Sequence, residues 1–285
     1  MKVMWIGHGG LLFVSGKHKI LIDPYLSDSL RSANKKLRRR ARVSRKLFRI
    51  KPDAIVLTSA HPDRCDFKTI KKYASKWGKY TPTILSCEKS FETISSSWVL
   101  KKSNTIMFEK GLEWSLGDMT IVGVDAKTDD RSAFGVIIVD NEDGKKYYVA
   151  SNTLYSEELI ASLPTDIFCA FLPISGSFGS MNAIDAARFA KKLNAQYNIP
   201  VQYGMFDKLK ADQFIVSGRV IPKLYKIIDF NCDPESLFKN DGVSFFFNEK
   251  APKKKKAKIV EIDNDIDTVT VDIPILPLLT DGEIK

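Results

Sequence analysis

The chain has 285 residues, is 44% hydrophobic and 27% charged, and carries a net charge of +10 at pH 7. That length suits one large domain or two small ones, and the balance is that of an ordinary globular protein. No apolar run approaches the roughly 20 residues that span a bilayer, the opening residues lack the core and cleavage site of a signal peptide, and Cys65, Cys87, Cys169 and Cys232 fit neither a disulfide framework nor a C-x-x-C metal site, so a cytoplasmic protein with reduced thiols and no membrane contact is expected.

Residues 3–6, 11–14 and 19–22 are short β-prone runs divided by Gly9-Gly10 and Ser15-Gly16-Lys17, a hairpin-like punctuation closed by Asp23-Pro24-Tyr25. Residues 31–48 are strongly basic and read as a helix or a loop excursion. A buried strand follows at 54–57, then a helix at 67–77 with Phe67, Ile70, Tyr73 and Ala74 on one face. A strand at 83–86 and a helix at 91–98 complete the first half. Residues 113–124, 134–140 and 146–150 form a second group of strands, with Asp143-Gly144 as a turn. A helix at 156–163, a strand at 167–172, an amphipathic helix at 183–193 and a strand at 199–203 follow. Strands and helices thus alternate in two halves of similar plan, and helices must cover the outer faces of such sheets. The expected fold is a four-layer αββα sandwich of the α/β (α+β) class, with a domain over 1–248. From 249 the composition shifts to a Lys253–256 run, an acidic run at 261–267 and an alternating apolar segment. Residues 249–285 read as a linker and tail or an added edge strand.

The most informative stretch is 58–64, T-S-A-H-P-D-R, directly after the 54–57 strand. Two histidines at i and i+2 after a strand can project towards one divalent ion, and a following Asp-His pair towards a second; such sites generate hydroxide at neutral pH. The stretch resembles the metal-binding loop T-H-x-H-x-D-H of the metallo-β-lactamase fold. The resemblance extends over residues 1–215. Residues 5–13 (W-I-G-H-G-G-L-L-F) look like the opening hairpin of the L-ascorbate-6-phosphate lactonase-like branch, and 21–29 match its D-P-Y/W-L turn. Residues 133–138 and 147–149 resemble its central strands. Ser151-Asn152-Thr153-Leu154-Tyr155 stands where that branch has G-D-T-L-Y, and residues 200–207 stand where it has P-x-H-F/Y-G-M-F-D. Residues 171–174 and 186–190 resemble its late strand and helix.

Carried over position by position, the family's ligands fall on Ser59, His61, Asp63, Arg64, Thr128, Asn152 and Gln202, so His61 and Asp63 alone keep their type. The resemblance therefore implies an ancestral zinc or manganese hydrolase with a degenerate site, with no cofactor retained and hydrolysis lost. Ser, Thr, Asn and Gln can satisfy one another in a buried pocket. Arg64 brings a permanent cation where the second metal would sit, with Asp63 as its ion-pair partner. In the alternative the resemblance implies, a metal-dependent hydrolase of a phosphorylated lactone or phosphodiester, His61 and Asp63 are the candidate catalytic pair and the candidate ligands of a weak single ion. Arg64, Lys127, Asn152, Gln202, Ser59 and Thr128 are the candidate ligand-binding residues, and the substrate class the resemblance implies is a small anionic metabolite such as a sugar phosphate. Ser59, His61 and Asp63 also contain the residue types of a nucleophilic triad, but at i, i+2 and i+4 on one short loop. His8 is placed at the pocket mouth, His18 on the surface, and Asp23 behind the ligands. The serines and glycines of 175–180 form a flexible loop whose spacing matches no phosphate-binding motif.

Residues 31–51 hold 11 Lys and Arg and no acid. Such a run is a solvated surface or a contact for phosphates; nucleic acid is the macromolecular alternative, although Phe48 is the one aromatic in it and base stacking is poorly supported. The resemblance also implies a homo-oligomer, within which a non-catalytic scaffold role is a further expectation.

Overall fold

The computed structural model describes residues 1–76, 81–97, 100 and 103–230; the expected boundary at 248 and the 249–285 tail lie outside the described residues. In chain order the elements are β1 (Lys2–Gly7), β2 (Gly10–Ser15), β3 (His18–Ile22), α1 (Leu30–Ala33), β4 (Ala54–Leu57), α2 (Phe67–Lys76), β5 (Thr83–Ser86), α3 (Glu88–Ser95) and β6 (Thr105–Met107). Then come β7 (Glu113–Leu116), β8 (Met119–Val124), β9 (Gly135–Asp140), β10 (Lys146–Val149), α4 (Glu157–Ser162), β11 (Ile167–Pro173), α5 (Ala183–Leu193), β12 (Tyr197–Val201) and β13 (Ile227–Asp229). One sheet has the order β13-β1-β2-β3-β4-β5-β6 and the other β12-β11-β10-β9-β8-β7.

Side chains of a strand alternate between faces, and here both faces are apolar. Trp5, Leu11, Phe13, Ile20, Ile22 and Val56 of the first sheet meet Ile121, Val136, Ile138, Tyr147, Phe171 and Ile199 of the second in a central layer. The residues between them on the first sheet, among them Met4, Ile6, Leu12, Leu21, Ile55 and Leu57, turn outward beneath Ile70, Tyr73 and Ile94 of the helices. On the second sheet Ile137, Tyr148, Ala170 and Leu172 turn outward beneath Leu159, Ala186, Phe189 and Leu193. Three apolar layers between four structural ones make the expected αββα sandwich. Helix α5 shows why these segments are helical: Asn182 accepts from the Ile184 and Asp185 backbone N–H, Asp185 sits in the first turn and Lys191 and Lys192 in the last, and Asn194 closes the helix in the left-handed region.

Several local expectations are corrected. Residues 31–48 form neither a long helix nor a plain excursion: α1 is followed by single tight turns at Lys35–Leu37 and Arg45–Arg49. Their cations lack an apolar period, and the segment is anchored where Leu47, Phe48 and Ile50 enter the outer layer. The 113–124 run is a hairpin, because Gly117 takes a φ of +54° between Leu116 and Met119, which pair directly. The helix expected at 91–98 starts earlier, at Glu88, and the strand expected at 199–203 is shifted to Tyr197–Val201. Strands β6 and β13 were not expected; each has three residues, too few to show a period.

Candidate functional site

Strands β3 and β4 run parallel, as do β10, β11 and β12, so their C-terminal ends open onto one edge of the sandwich. Asp23 follows β3, residues 58–64 follow β4, Ser151 and Asn152 follow β10, and Gln202 follows β12. The tight β1–β2 connection brings His8 and Gly9 to the same edge. Backbone hydrogen bonds lock these ends together: Gln202 N–H to His8 C=O (2.8 Å), Phe134 N–H to Thr58 C=O (2.9 Å) and Asp23 N–H to Val56 C=O (2.9 Å). Thr58 donates its N–H and its hydroxyl to the Asp23 carboxylate.

Arg64 lies at the centre, 0% exposed. Its Nε donates to Asn152 Oδ1 (2.8 Å), Nη2 to Gln202 Oε1 (2.9 Å) and Nη1 to Asp23 Oδ2 (3.2 Å), while Nε stands 3.6 Å from Asp63 Oδ2. Ser180 Oγ donates toward both amide oxygens, and Gln202 Nε2 donates to Asn152 Oδ1 (3.1 Å) and Asp63 Oδ2 (3.3 Å). Asn152 Oδ1 thus receives three donors, which fixes the orientation of that amide. Gly9 is what admits the guanidinium: a Cβ there would stand 1.8 Å from Arg64 Nη1. A buried cation carries a desolvation penalty of several kcal/mol, offset only when every donor is met. Here each of the three nitrogens has one acceptor, on Asn152, Asp23 or Gln202, with the Asp63 carboxylate close by.

The charges are set by the same burial. The Asp23 carboxyl is pushed up to about 6 by burial, against the pull of Arg64 and the Thr58 hydrogen bonds. Burial also pushes Asp63 up, but the His8 hydrogen bond and the neighbouring positive charge outweigh it and hold this carboxyl below its ordinary range. Burial lowers His8 below 6.5 in spite of Asp63. At neutral pH the cluster therefore reads as Arg64 positive, both carboxylates ionised, and a neutral His8 donating from Nε2 to Asp63 Oδ2 at 2.8 Å. Asp63 Oδ1 and Asn152 Nδ2 are buried without a hydrogen-bond partner among the described residues.

The backbone at this edge is held in uncommon conformations. His8, Asp23, Ser151, Phe178 and Gln202 have φ between +45° and +60°, five of the seven non-glycine residues with positive φ in the described chain. Such conformations cost about 1 kcal/mol or more each and persist where the surroundings impose them. Ser151 occupies the place where the resembling motif has glycine, which explains the motif: that position needs the left-handed region.

The remaining expected positions lie on a separate rim. Ser59 Oγ and the Ala60 N–H both donate to Asp130 Oδ2 (3.0 and 2.9 Å). His61 Nε2 is 3.0 Å from Asp129 Oδ1, and Thr128 Oγ1 donates to the same oxygen at 2.9 Å. His61 is 24% exposed and Asp129 74%. Lys127 stands apart, with Nζ 3.4 Å from Glu158. The expected ligand-binding set therefore divides. Arg64, Asn152 and Gln202 join Asp63 in the buried cluster, whereas Ser59 and Thr128 join His61 on the rim. Ser59, Arg64 and Asn152 are sealed from solvent, so as they stand they meet protein groups and not a ligand.

What opens to solvent is a cleft beside the cluster. A hollow of about 240 Å³ is lined by His8, Lys36, Ser175, Phe178, Gln202 and Phe206, and one of about 420 Å³ by Lys36, Arg38, Arg39, Arg40 and Phe206. The basic stretch is thus folded against the mouth of the site. Ser180, expected in a flexible loop, is buried and bonded to Asn152 and Gln202, and Asp129 and Asp130 hold the rim. The two adjacent acids after Thr128 were the available signal.

Among the described residues, no three His, Cys, Asp or Glu side chains gather as a metal-holding group, and no helix is long and apolar enough to cross a membrane. Residues 2–202 match the family described as the beta-lactamase superfamily domain. A UPF0173 metal-dependent hydrolase of Pyrobaculum islandicum is 28% identical over 226 residues, covering 77% of this chain and 92% of that protein. The metallo-beta-lactamase fold protein YhfI from Bacillus subtilis superposes with a TM-score of 0.59 at 20% identity, covering 79% of this chain and 97% of its own. The isothiocyanate hydrolase from Delia radicum gut bacteria gives 0.63 at 20% identity, covering 81% and 99%. With the family matched over more than half its length and the two-sheet fold shared, the chain belongs to the beta-lactamase superfamily domain family and carries the metallo-β-lactamase fold.

Proposed function

We propose that this chain is a non-hydrolytic member of the lactonase-like branch, in which a buried arginine has replaced the dinuclear metal centre and the remaining cleft binds a small anionic metabolite. One observation carries the reading: the Arg64 guanidinium is enclosed by Asn152, Gln202, Asp23 and Asp63, all but Asp23 at positions where the resemblance puts ligands.

The donor set does not fit a pair of divalent ions. Asn152 Oδ1 and Gln202 Oε1 are already saturated by N–H and O–H donors, and Asp63 Oδ2 accepts from His8 and Gln202. A dication brought to Asp63 would also meet the fixed charge of Arg64, a repulsion that a buried site screens poorly. The single-ion alternative asks His61 and Asp63 to share one ion, yet Asp129 engages the first and His8 the second. The unpaired Asp63 Oδ1 lies inside the cluster and is a place for a bound water, with Asn152 Nδ2 as a second unpaired group.

The test is elemental analysis of the purified protein after incubation with zinc or manganese and desalting. Well under one ion per chain is expected. Near-stoichiometric retention, or turnover of phosphorylated lactones or phosphodiesters that depends on the added metal, would overturn the reading.

A further inference from the structure

We infer that the anionic ligand is a nucleoside di- or triphosphate, with its phosphates in the hollow of Lys36, Arg38, Arg39 and Arg40 and its base against Phe206. This deepens the proposed function and rests on its claim that the cleft is a ligand site.

The basic hollow has no acid in its lining. Among the described residues the side chains of Lys36, Arg38 and Arg40 make no ion pair or hydrogen bond, and all three are exposed. Four like charges on one short loop repel one another, and an anion of several charges relieves that repulsion. The loop is nevertheless held in place. Arg40 N–H donates to Met205 C=O (2.9 Å), and Arg39 N–H to Asp28 Oδ1 (2.8 Å). The Arg39 side chain donates from Nη1 to Tyr25 C=O and from Nε to Ala41 C=O (3.0 Å), which fixes its guanidinium. Its Nη2 is buried beside Gly7 with no hydrogen-bond partner among the described residues, so the guanidinium is held from the protein side. A solvated surface patch gives no reason to hold an arginine this way.

Phe206 supplies the second half of the recognition. It is half-buried and lines both hollows, with its ring 5.0 Å from His8 and 6.1 Å from Phe178. Phe178 stands beside it in the left-handed region, at φ +58°. An aromatic wall at the junction of a polyanion hollow and a pocket with Ser175 and Gln202 suits a flat base joined to phosphates by a sugar. The one acid of the smaller hollow, Asp207, fastens its own loop by accepting the Gly204 and Leu209 N–H. The larger hollow, about 420 Å³, is within the range of about 300–1,000 Å³ usual for small-molecule sites.

Calorimetric titration of the full chain, without divalent metal, with ATP, inorganic tripolyphosphate and adenosine tests the inference. ATP should bind about tenfold more tightly than tripolyphosphate, the scale of one stacked base, and adenosine far more weakly than either. The double variant R38A/R40A, at two exposed positions, should keep its melting temperature and lose both phosphate ligands. F206A should bring ATP down to the level of tripolyphosphate and leave the latter unchanged. Equal binding of ATP and tripolyphosphate, or full binding by R38A/R40A, overturns the inference. So does a single-stranded oligonucleotide that binds more tightly than ATP, since it would make the stretch a nucleic-acid contact. Because no metal enters this experiment, its failure is distinct from that of the proposed function, which the retained-metal measurement decides.

Discussion

The positions where the resemblance puts ligands fall into two unlike regions of the structure. In the floor, Arg64, Asp63, Asn152 and Gln202 bond to one another and are closed to solvent, with Asp63 Oδ1 and Asn152 Nδ2 left unpaired among the described residues. On the rim, Ser59, His61 and Thr128 each bond to an acid of the 128–130 loop, Asp129 or Asp130, and His61 stays reachable. A metal centre ties such positions together through shared ions. Here each half has found its own partners, so the halves should respond separately to substitution. The floor holds charge out of water and has most to lose.

The largest effect is expected from Arg64→Ala. It leaves Asp23 and Asp63 buried without their shared cation, a loss on the order of 3–5 kcal/mol, read as a fall in the urea midpoint. Arg64→Lys keeps the charge, but one ammonium cannot span acceptors on four separate residues, so most of the loss should remain. A stability close to that of the parent would mean that the guanidinium is not what holds the floor.

Gly9→Ala comes next. The added methyl would stand 1.8 Å from Arg64 Nη1, and overpacking of this kind costs about 1–3 kcal/mol. In the Arg64→Ala background the same change should cost much less, because the clashing group is gone. That double-mutant cycle measures the contact directly. Additive losses would show that Gly9 is needed for some other reason.

Much of this was legible beforehand, and the unread part has physical reasons. The apolar runs at β4, β9 and β11 announced themselves because a strand buried on both faces needs no alternation. The 58–64 loop pointed to the family, and the residue types at Ser59, Arg64, Thr128, Asn152 and Gln202 pointed to a neutral, hydrogen-bonded cluster around a cation. The sequence could not say that they divide. Asn152 and Gln202 lie 88 and 138 positions from Arg64, and only the convergence of β4, β10 and β12 brings them to one side chain. Nor could composition tell that Lys36 to Arg40 fold back onto the site, because the bond that does it, Arg40 N–H to Met205 C=O, is between backbones. Asp129 and Asp130 went unread because acids on a loop are usually solvated.

A smaller effect separates the regions by pH. His8 is lowered from 6.5 in the folded chain by burial, and it faces Asp63, Arg64 and Arg39. The unfolded chain therefore takes up this proton first. The stability due to neutral His8 is complete above 6.5 and is lost as pH falls through that value towards the folded one, at up to about 1.4 kcal/mol per pH unit. Asp23 acts in the opposite sense: raised from 3.8 to about 6, it gains relative stability on acidification between those values. The difference between the parent chain and His8→Gln removes the Asp23 contribution. Between pH 7.5 and 5.5 the parent should lose more stability than the variant, and parallel curves would mean that His8 is not held neutral.

The smallest effect is expected from His61→Ala. Its partner Asp129 is mostly exposed, and an exposed pair of this kind contributes under about 1 kcal/mol. Asp129 would keep the Thr128 hydroxyl and gain water, so no buried charge is orphaned. The informative measurement is the double variant with Arg64→Ala. If floor and rim are independent, the two losses should add within about 0.5 kcal/mol. A larger coupling, or a loss from His61→Ala comparable with that from Arg64→Ala, would show that the 58–64 loop still transmits between its two ends as it would around a shared ion, and that the division is one of contacts alone and not of energy.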